Sequence, residues 1–327
     1  MATYKRQRYL LMTTDPVHIG TGGYRLGRVD NSIVREPGTR VPKIPGTSLH
    51  GAARSYAAQL YETPEAAGQS QDKVDNPDTN PVCYTFGYLK KDKSGDDEKT
   101  TAYSGVVNVF DAHVLLFPVH SMGGPVWVST VARLREAGFT VGDTPSDWGV
   151  GVALLTWKRR DALNLGWLMV NVADQVTVTA PDKWRDEQRW QSVRDRLVLV
   201  QDTLFGQVVN SNLEVRTSVA IDPERGAAED KALFTYEALP RATFLTAEVV
   251  LDDYRDAWPL SQDTQNRTAK GNALPGSQTW SGPLEVVKAG LRMIEWLGVG
   301  GMGTRGFGRM AIVGEPLEQA YGEEAWQ

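Results

Sequence analysis

The sequence predicts an α+β fold. Two segments, 47–61 and 284–297, place apolar residues at spacings of three and four, which is typical of amphipathic helices. Strand-like segments precede, separate and follow these helices, at 9–14, 106–119, 243–251 and 308–313. This order is compatible with a ferredoxin-like sheet of β-α-β units that carries long insertions. The flanking patterns are too few for separate domains, so we predict one domain over residues 1–327.

Capping residues give the helix limits. Thr47 or Ser48 is the natural N-cap of the first helix, and Gly298 is placed to end the last one. Further helical signal lies at 129–138 and 186–208. Four polar stretches rich in helix- and strand-breaking residues read as insertions or mobile loops. They are 62–81, 90–104, 222–231 and 261–283.

Composition excludes several classes of protein. The chain has 327 residues, 41% of them hydrophobic, which suffices for a large core. Its single cysteine, Cys83, excludes an internal disulfide framework and a cysteine zinc site, so we expect a cytoplasmic protein. No stretch approaches the roughly 20 apolar residues that span a bilayer, and we expect no membrane partner.

Charge is distributed unevenly. The formal net charge is −5, yet residues 25–54 contain six Lys or Arg and only two acids. A basic patch on an acidic protein indicates a confined site for a polyanion rather than a surface that binds any nucleic acid.

The start of the first helix is one candidate polyanion site. Free backbone N–H groups and the positive end of the helix dipole favour an anion there, and Ser48 adds a hydroxyl. His50 and Arg54 share a helix face, and Lys43 lies just upstream, so this face could grip a sugar-phosphate backbone. The alternative is an ordinary capped helix with a solvated basic face.

Asp30 and His18 are candidate catalytic groups. An ionised carboxylate beside a polyanion is unfavourable unless it binds a metal or acts on a proton. Nearby arginines would keep Asp30 ionised. The alternative for Asp30 is a turn aspartate that bonds its own backbone, and His18 could equally be a satisfied structural histidine.

Two further segments could contact nucleic acid. The glycine-rich loop 298–308 formally matches G-x-G-x-x-G, but it follows a helix and precedes a strand, the reverse of a dinucleotide-binding unit. Its glycines and Arg305 could approach a phosphate, or the loop could be a flexible turn. Residues 212–240 predict a projecting hairpin of strands 213–221 and 232–239. Its Arg216 and Phe234 could contact nucleic acid or a neighbouring subunit.

Several motifs together resemble one family. They are His18-Ile-Gly-Thr-Gly22, Leu26-Gly-Arg-Val-Asp30, Arg35-Glu36, Val41-Pro-Lys-Ile-Pro-Gly-Thr-Ser-Leu-His-Gly51, Phe117-Pro-Val-His-Ser121 and the loop from Gly301 to Gly308. In this order along the chain, they resemble the RAMP superfamily of CRISPR effector subunits, most of all the backbone subunit of type III-B (Cmr) complexes.

The resemblance implies an architecture and an activity. It implies a ferredoxin-like (RRM-like) palm, inserted helical fingers at about 62–104 and a protruding β-hairpin thumb at about 212–240. It further implies that copies stack head to tail along a guide RNA beside other Cmr-type subunits. Each copy would cleave complementary target RNA at regular intervals with a divalent metal ion, Mg or Mn.

The resemblance also implies residue roles. Asp30 matches the catalytic aspartate and would bind the metal, His18 matches a histidine near the active loop, and Glu229 matches an auxiliary thumb glutamate. Guide contacts would fall on Lys43, Ser48, His50, Arg54, Gly301, Gly303 and Arg305, in addition to Arg216 of the hairpin. The family usually has Lys at His50 and Arg at His120, so guide affinity could be weaker or pH-dependent here.

Two other functions remain open at this stage. The chain could be a scaffold that holds guide and target without cutting, or a stand-alone ribonuclease that processes guide precursors.

Overall fold

The computed structural model describes residues 3–22, 29–68, 73–92, 99–145, 148–258, 280–323 and 326. Side chains are not described at 3, 91, 92, 99, 220 and 227–232.

Within these residues the chain forms eighteen strands and seven helices. The strands are β1 (Thr3–Thr13), β2 (Lys43–Ile44), β3 (Gly87–Asp92), β4 (Lys99–Ser104), β5 (Val107–Val109), β6 (Ala112–Ser121), β7 (Gly124–Ser129), β8 (Thr140–Val141), β9 (Val152–Leu155), β10 (Leu163–Leu165), β11 (Leu168–Gln175), β12 (Val178–Thr179), β13 (Leu197–Leu199), β14 (Glu214–Asp222), β15 (Ala227–Ala238), β16 (Phe244–Asp253), β17 (Met310–Ile312) and β18 (Leu317–Ala320). The helices are α1 (Gly46–Leu60), α2 (Pro81–Phe86), α3 (Val131–Glu136), α4 (Asp182–Arg185), α5 (Gln188–Gln191), α6 (Asp202–Ser211) and α7 (Pro283–Leu297).

A mixed sheet of twelve described strands organises the molecule, in a mixed α/β fold. Its centre is antiparallel and runs β6-β16-β1-β17, with α1 after β1 and α7 between β16 and β17. The pairing of β1 with β16 extends from Thr3 opposite Asp253 to Met12 opposite Phe244. Beyond β6 the order continues as β7-β13-β9-β11-β10, in which β13 is parallel to β7 and antiparallel to β9.

The sheet has an apolar core on each face. Successive strand residues point to opposite faces; in β1, Tyr9 and Leu11 join one core and Leu10 joins the other. The first core includes the buried sides of α1, α2 and α7, and the second includes Leu134 of α3 and the tryptophans of α4 and α5. The tryptophans Trp184 and Trp190 are among the largest fully buried side chains.

Helices α1 and α7 cross with their backbones in contact. A Cβ atom at Gly290 would lie 2.1 Å from the carbonyl oxygen of Ala53, so only glycine permits this approach. The crossing places the start of α1 beside the segment that follows α7, as Tyr56 shows by donating its hydroxyl to the Gly298 carbonyl at 2.6 Å.

The two long helices predicted from the sequence are present as α1 and α7. Gly298, the glycine predicted to end α7, follows its last residue and has φ +81°. The N-cap prediction of Thr47 or Ser48 for α1 is wrong, because the helix begins at Gly46 and its N-cap is Pro45. The helical signal at 186–208 is also wrong as one element. Its apolar run forms β13, which is buried along its whole length between β7 and β9, with α5 before it and α6 after it.

The inserted segments differ from expectation in detail. Strand-like 106–119 is broken at Phe110 and Asp111 into β5 and β6. The described part of the insertion at 62–104 has one six-residue α-helix, α2, two 3-10 helices at Pro64–Ala66 and Pro77–Thr79, and a hairpin, β3–β4. The hairpin 212–240 is present as β14–β15, but its strands extend into the predicted polar turn, so Glu229 lies in β15. Most of 261–283 lies outside the described residues.

Among the described residues, no helix has the length and apolarity that crossing a bilayer requires.

We expect Gly290→Ala to destabilise the fold by about 1–3 kcal/mol, because the added methyl group overlaps the α1 backbone. Gly51→Ala is the matched control, since a Cβ there meets nothing within 4 Å and alanine favours a helix by about 0.5–1 kcal/mol. Urea unfolding of both variants measures the difference. Equal stability of the two variants would contradict the close crossing.

Candidate functional site

The segment around Asp30 is bonded to the hairpin strand β15. Asn31 forms a parallel bridge with Tyr236. Its N–H donates to the Thr235 carbonyl at 3.0 Å, and its own carbonyl accepts from the Glu237 N–H at 3.0 Å. The segment is thus joined to one edge of the hairpin by an isolated bridge. The preceding residues of the Leu26-Gly-Arg-Val-Asp30 motif, 26–28, lie outside the described residues.

The Asp30 carboxylate is held by a single residue. The amide and the hydroxyl of Thr235 both donate to Oδ2, at 2.7 and 2.9 Å. The Asp30 N–H donates in return to the Thr235 hydroxyl at 3.1 Å. The amide first and the hydroxyl second lower the pKa of Asp30, so the carboxylate is ionised at neutral pH. Among the described residues, Thr235 therefore favours its charge; Arg28, one of the arginines expected to do so, lies outside the described residues.

His18 lies buried beside this segment. Its Nδ1 is 2.6 Å from the Glu237 carbonyl, and because a carbonyl only accepts, Nδ1 donates the hydrogen in this bond. The ring meets Tyr236 edge-on, with centroids 6.0 Å apart. A Cβ at Gly20 would be 3.1 Å from Nε2, so the ring is enclosed on that side as well.

A nearly buried ion pair stabilises the same region. Arg35 donates to the Glu237 carboxylate at 2.7 Å and to Asn210 Oδ1 at 2.9 Å. Glu237 is therefore paired and nearly buried, whereas Asp30, which is bonded to the same edge of the hairpin, is exposed. Burying both partners together avoids the cost of an unpaired charge.

The glycine-rich loop 298–308 packs against the same residues. The Gly301 N–H donates to the His18 carbonyl at 3.0 Å, and the Gly308 N–H donates to the Pro16 carbonyl at 2.8 Å. Gly300 has φ +87°, and a Cβ there would lie 2.5 Å from the His18 carbonyl oxygen. Glycine is therefore required where the loop crosses His18.

Aromatic contacts join the loop to the hairpin. Tyr236 of β15 meets Phe307 of the loop with centroids 5.2 Å apart. Arg305 lies over the Phe234 ring at 5.6 Å, and Arg216 of β14 lies over Phe307 at 4.7 Å. Arg216 also donates to Glu214 at 2.6 Å. Strand β15 therefore contacts the glycine-rich loop through one set of side chains and Asp30 through Thr235.

A groove of about 400 Å³ separates α1 from the glycine-rich loop. Ser48, Gly51 and Ser55 line one wall, and Gly300 and Gly303 line the other. Small side chains and hydroxyls on one wall and backbone on the other leave room for a narrow polar chain.

The predicted cations of the α1 region are bonded inside the protein. Lys43 pairs with Asp111 at 2.6 Å and with Glu36 at 3.0 Å. Arg54 donates to the carbonyls of Ala66, Phe86 and Gly87 at 2.7, 3.4 and 2.8 Å, which ties α1 to the insertion.

His50 is placed as an uncharged group. It packs edge-on against Phe86 with centroids 5.1 Å apart. Burial first, and the Arg54 charge second, lower the pKa of His50, so the ring is neutral at neutral pH.

Asp111 occupies the start of α1. Its Oδ1 accepts from the Gly46 N–H at 2.7 Å, while Oδ2 binds Lys43. The protein thus supplies its own anion at the first amide of this helix. Burial opposes the charge of Asp111, but the Lys43 ammonium and the Gly46 amide outweigh it, and the pKa of Asp111 is lowered.

The described residues do not form a resident metal site. No group of three His, Cys, Asp or Glu that could hold a metal ion occurs among them. The Thr235 donors both bond Oδ2 of Asp30, so its Oδ1 is the oxygen that it could offer. The side chain of Glu229 lies outside the described residues.

The structure thus places His18, Gly301, Arg216 and Arg305 at the contact between the hairpin and the glycine-rich loop. Asp30 is joined to the same hairpin through Thr235, and Ser48 and Gly303 line the adjoining groove. Sequence reasoning missed Thr235, Tyr236 and Glu237. The alternation of residues 234–237 marks them as a strand, but nothing local indicates that this strand pairs with residue 31.

Comparison with known families shows to which superfamily the chain belongs. The RAMP superfamily model matches residues 10–311, and the chain belongs to that superfamily. It is similar to the CRISPR system Cmr endoribonuclease Cmr4 of Pyrococcus furiosus, with 26% identity over 257 residues, 74% of this chain and 80% of the relative. A shorter similarity, 36% over 77 residues, or 23% of this chain and 34% of the relative, links it to the Cms endoribonuclease Csm3 of Enterococcus italicus.

Solved structures share the fold. A subunit of the type III-B Cmr-beta complex bound to cognate target RNA matches with TM-score 0.58 and 14% identity, over 94% of this chain and 96% of that one. Oligomeric Cmr4 from Pyrococcus furiosus matches with TM-score 0.53 and 18% identity, over 99% of this chain and all (100%) of that one.

We expect Asp111→Asn to lower the free energy of unfolding by about 1 kcal/mol, because α1 loses a negative charge at its N-terminus and Lys43 loses an ion partner. The pKa of Asp111 is lowered in the folded state, so its stabilisation is present above about pH 4 and is lost as the pH falls further. Denaturant unfolding at a series of pH values measures this. Asp195→Asn, an acid whose side chain is 78% exposed, is the control. A difference that does not shrink at low pH would contradict the assignment.

Proposed function

We propose that this chain is a guide-RNA-binding backbone subunit of a type III-B CRISPR effector complex and that it cuts complementary target RNA. One observation carries the proposal: an exposed, ionised carboxylate, Asp30, is bonded to the hairpin that also packs on the glycine-rich loop. An exposed carboxylate and a loop that lines a groove of about 400 Å³ are thus joined to one hairpin. Its relatives are named endoribonucleases, which agrees with this chemistry.

The architecture supports the matching anatomy. The central order β6-β16-β1-β17, with α1 and α7 as crossover helices, is the strand order of a ferredoxin-like palm. The hairpin β14–β15 corresponds to the thumb. The insertion at 62–104, which Arg54 anchors to α1, corresponds to the fingers.

Guide RNA would lie in the groove between α1 and the glycine-rich loop. Backbone N–H groups of the loop and the Ser48 hydroxyl can donate to phosphate oxygens, and glycine lets the RNA approach closely. Arg305 and Arg216, both exposed beside the loop, would add positive charge. Lys43, His50 and Arg54 are not among the residues that line this groove, and direct RNA contacts by them stay predictions.

Target cleavage would use Asp30 as a proton acceptor. The 2′-hydroxyl of a target nucleotide loses its proton to the carboxylate and attacks the adjacent phosphorus in line. The O2′–P bond forms, the P–O5′ bond breaks, and the leaving 5′ oxygen takes a proton from water. The products are a 2′,3′-cyclic phosphate and a 5′-hydroxyl. A carboxylate with a lowered pKa is a weak base, so its catalytic value depends on orientation.

Further copies of this chain are the proposed neighbours, stacked head to tail, with other Cmr-type subunits beside them. The support is the fold shared over nearly the whole chain with oligomeric Cmr4.

We expect Asp30→Asn to slow target cleavage by about 10²–10⁴-fold, because the amide cannot accept the proton. Guide and target binding should stay unchanged. The measurement is single-turnover cleavage by the guide-bound assembly on a denaturing gel, with Asp182→Asn, an acid whose side chain is 85% exposed, as control.

Cutting at the wild-type rate by Asp30→Asn would contradict the proposal. If the wild-type assembly retains guide and target but does not cut, the chain is a scaffold. If it cuts precursor RNA but not guide-paired target, it is a processing enzyme.

A requirement for Mg or Mn stays a prediction. Among the described residues, Asp30 is the proposed ligand of that ion. Chelation with EDTA should stop cleavage without releasing the guide, and either ion should restore it. Undiminished cleavage in EDTA would contradict the predicted requirement for a metal ion.

A further inference from the structure

Thr235 is bonded to the Asp30 segment through every polar group it has. Its amide and hydroxyl donate to Asp30 Oδ2, its hydroxyl accepts from the Asp30 N–H, and its carbonyl accepts from the Asn31 N–H. Four hydrogen bonds thus connect one hairpin residue with two consecutive residues that lie about 205 positions away in sequence.

These bonds fix one carboxylate oxygen and leave the other available. With Oδ2 held by two donors, rotation of the Asp30 side chain breaks both bonds. No other described residue competes for the carboxylate, and Asp30 is fully exposed, so water would otherwise let it rotate freely. The direction of Oδ1 is therefore set by Thr235.

We infer that Thr235 is a positioning residue, which holds the Asp30 carboxylate in the orientation needed to accept the proton of the target 2′-hydroxyl. This inference rests on the proposed function of Asp30. Thr235 does not touch the reacting atoms; it acts through Asp30. A proton acceptor displaced by about 1 Å can lose about 10²-fold in rate, so orientation by one side chain has a measurable effect.

Strand β15 gives this contact a wider consequence. Residues 234 and 236 pack on the glycine-rich loop, while Thr235 between them bonds Asp30, because alternate strand residues face opposite ways. The glycine-rich loop and the Asp30 carboxylate therefore contact opposite sides of one strand.

The hydroxyl can be removed without disturbing the strand. Thr235→Val keeps the β-branched shape and the backbone N–H, and it deletes only the hydroxyl bonds. Thr235→Ser keeps the hydroxyl. Thr217, the exposed cross-strand partner of Thr235 on β14, provides the matched control Thr217→Val.

The test is single-turnover cleavage by guide-bound assemblies at saturating target concentration, with target affinity measured in parallel. Four proteins are compared: the wild type, Thr235→Val, Thr235→Ser and Thr217→Val. We expect Thr235→Val to cut about 10- to 100-fold more slowly with unchanged target affinity. Thr235→Ser should stay within about threefold of wild type, which is the rescue that a hydroxyl role requires. Thr217→Val should equal wild type.

Several results would overturn the positioning role. The first is a Thr235→Val cleavage rate equal to that of the wild type, and the second is equal slowing of Thr235→Ser and Thr235→Val. The third is a loss of cleavage rate in Thr235→Val that disappears at saturating target concentration. Comparison with Asp30→Asn separates this inference from the proposed function. If Asp30→Asn cannot cut and Thr235→Val cuts normally, the function stands and the role of Thr235 is wrong. If Asp30→Asn cuts normally, the proposed function itself fails.

Discussion

The pairing of the Asp30–Asn31 segment with strand β15 is the interaction on which the candidate site depends. In this pairing, Thr235 of β15 donates hydrogen bonds to the Asp30 carboxylate. The neighbouring residues of the same strand contact His18 Nδ1, through the Glu237 carbonyl, and Phe307 of the glycine-rich loop, through Tyr236. Without it, the acid would sit on a free surface segment, exposed and unoriented. The sheet and the α1–α7 crossing set where the two sides of the site lie, and this pairing joins them.

Charge within the fold is used in two distinct ways. Lys43, Arg54 and Arg35 are satisfied by carboxylates or carbonyls of the protein, and they stabilise the start of α1, the insertion and the hairpin edge. Arg216 and Arg305 lie on aromatic rings at the surface beside the glycine-rich loop, and Arg216 also pairs with the Glu214 carboxylate. Both side chains are exposed, so they are better placed than Lys43, Arg54 and Arg35 to attract an RNA backbone.

Much of the fold follows from local sequence signals, and the candidate site follows only in part. The helices α1 and α7 were predictable because each has an apolar face and α7 has a terminal glycine. Asp30 stood out because it is an acid within a basic segment. The glycine-rich loop stood out because a run of glycines separates a predicted helix from a predicted strand. Thr235 and Asp111 could not be predicted, since each acts across a distant contact, on residue 30 and on the start of α1. The failed helix at 186–208 has the same cause: burial of β13 between two strands overrides local helix propensity.

The most direct test of the account is a structure of the assembly with guide and a target that carries a 2′-deoxy substitution at the cut nucleotide, which prevents cleavage. We predict the Asp30 carboxylate within about 4 Å of the 2′ carbon of that nucleotide, because a base must lie within hydrogen-bond reach of the proton it removes. Thr235 should remain bonded to Oδ2. A scissile phosphate next to a different acid, with Asp30 turned away from the target, would contradict the account.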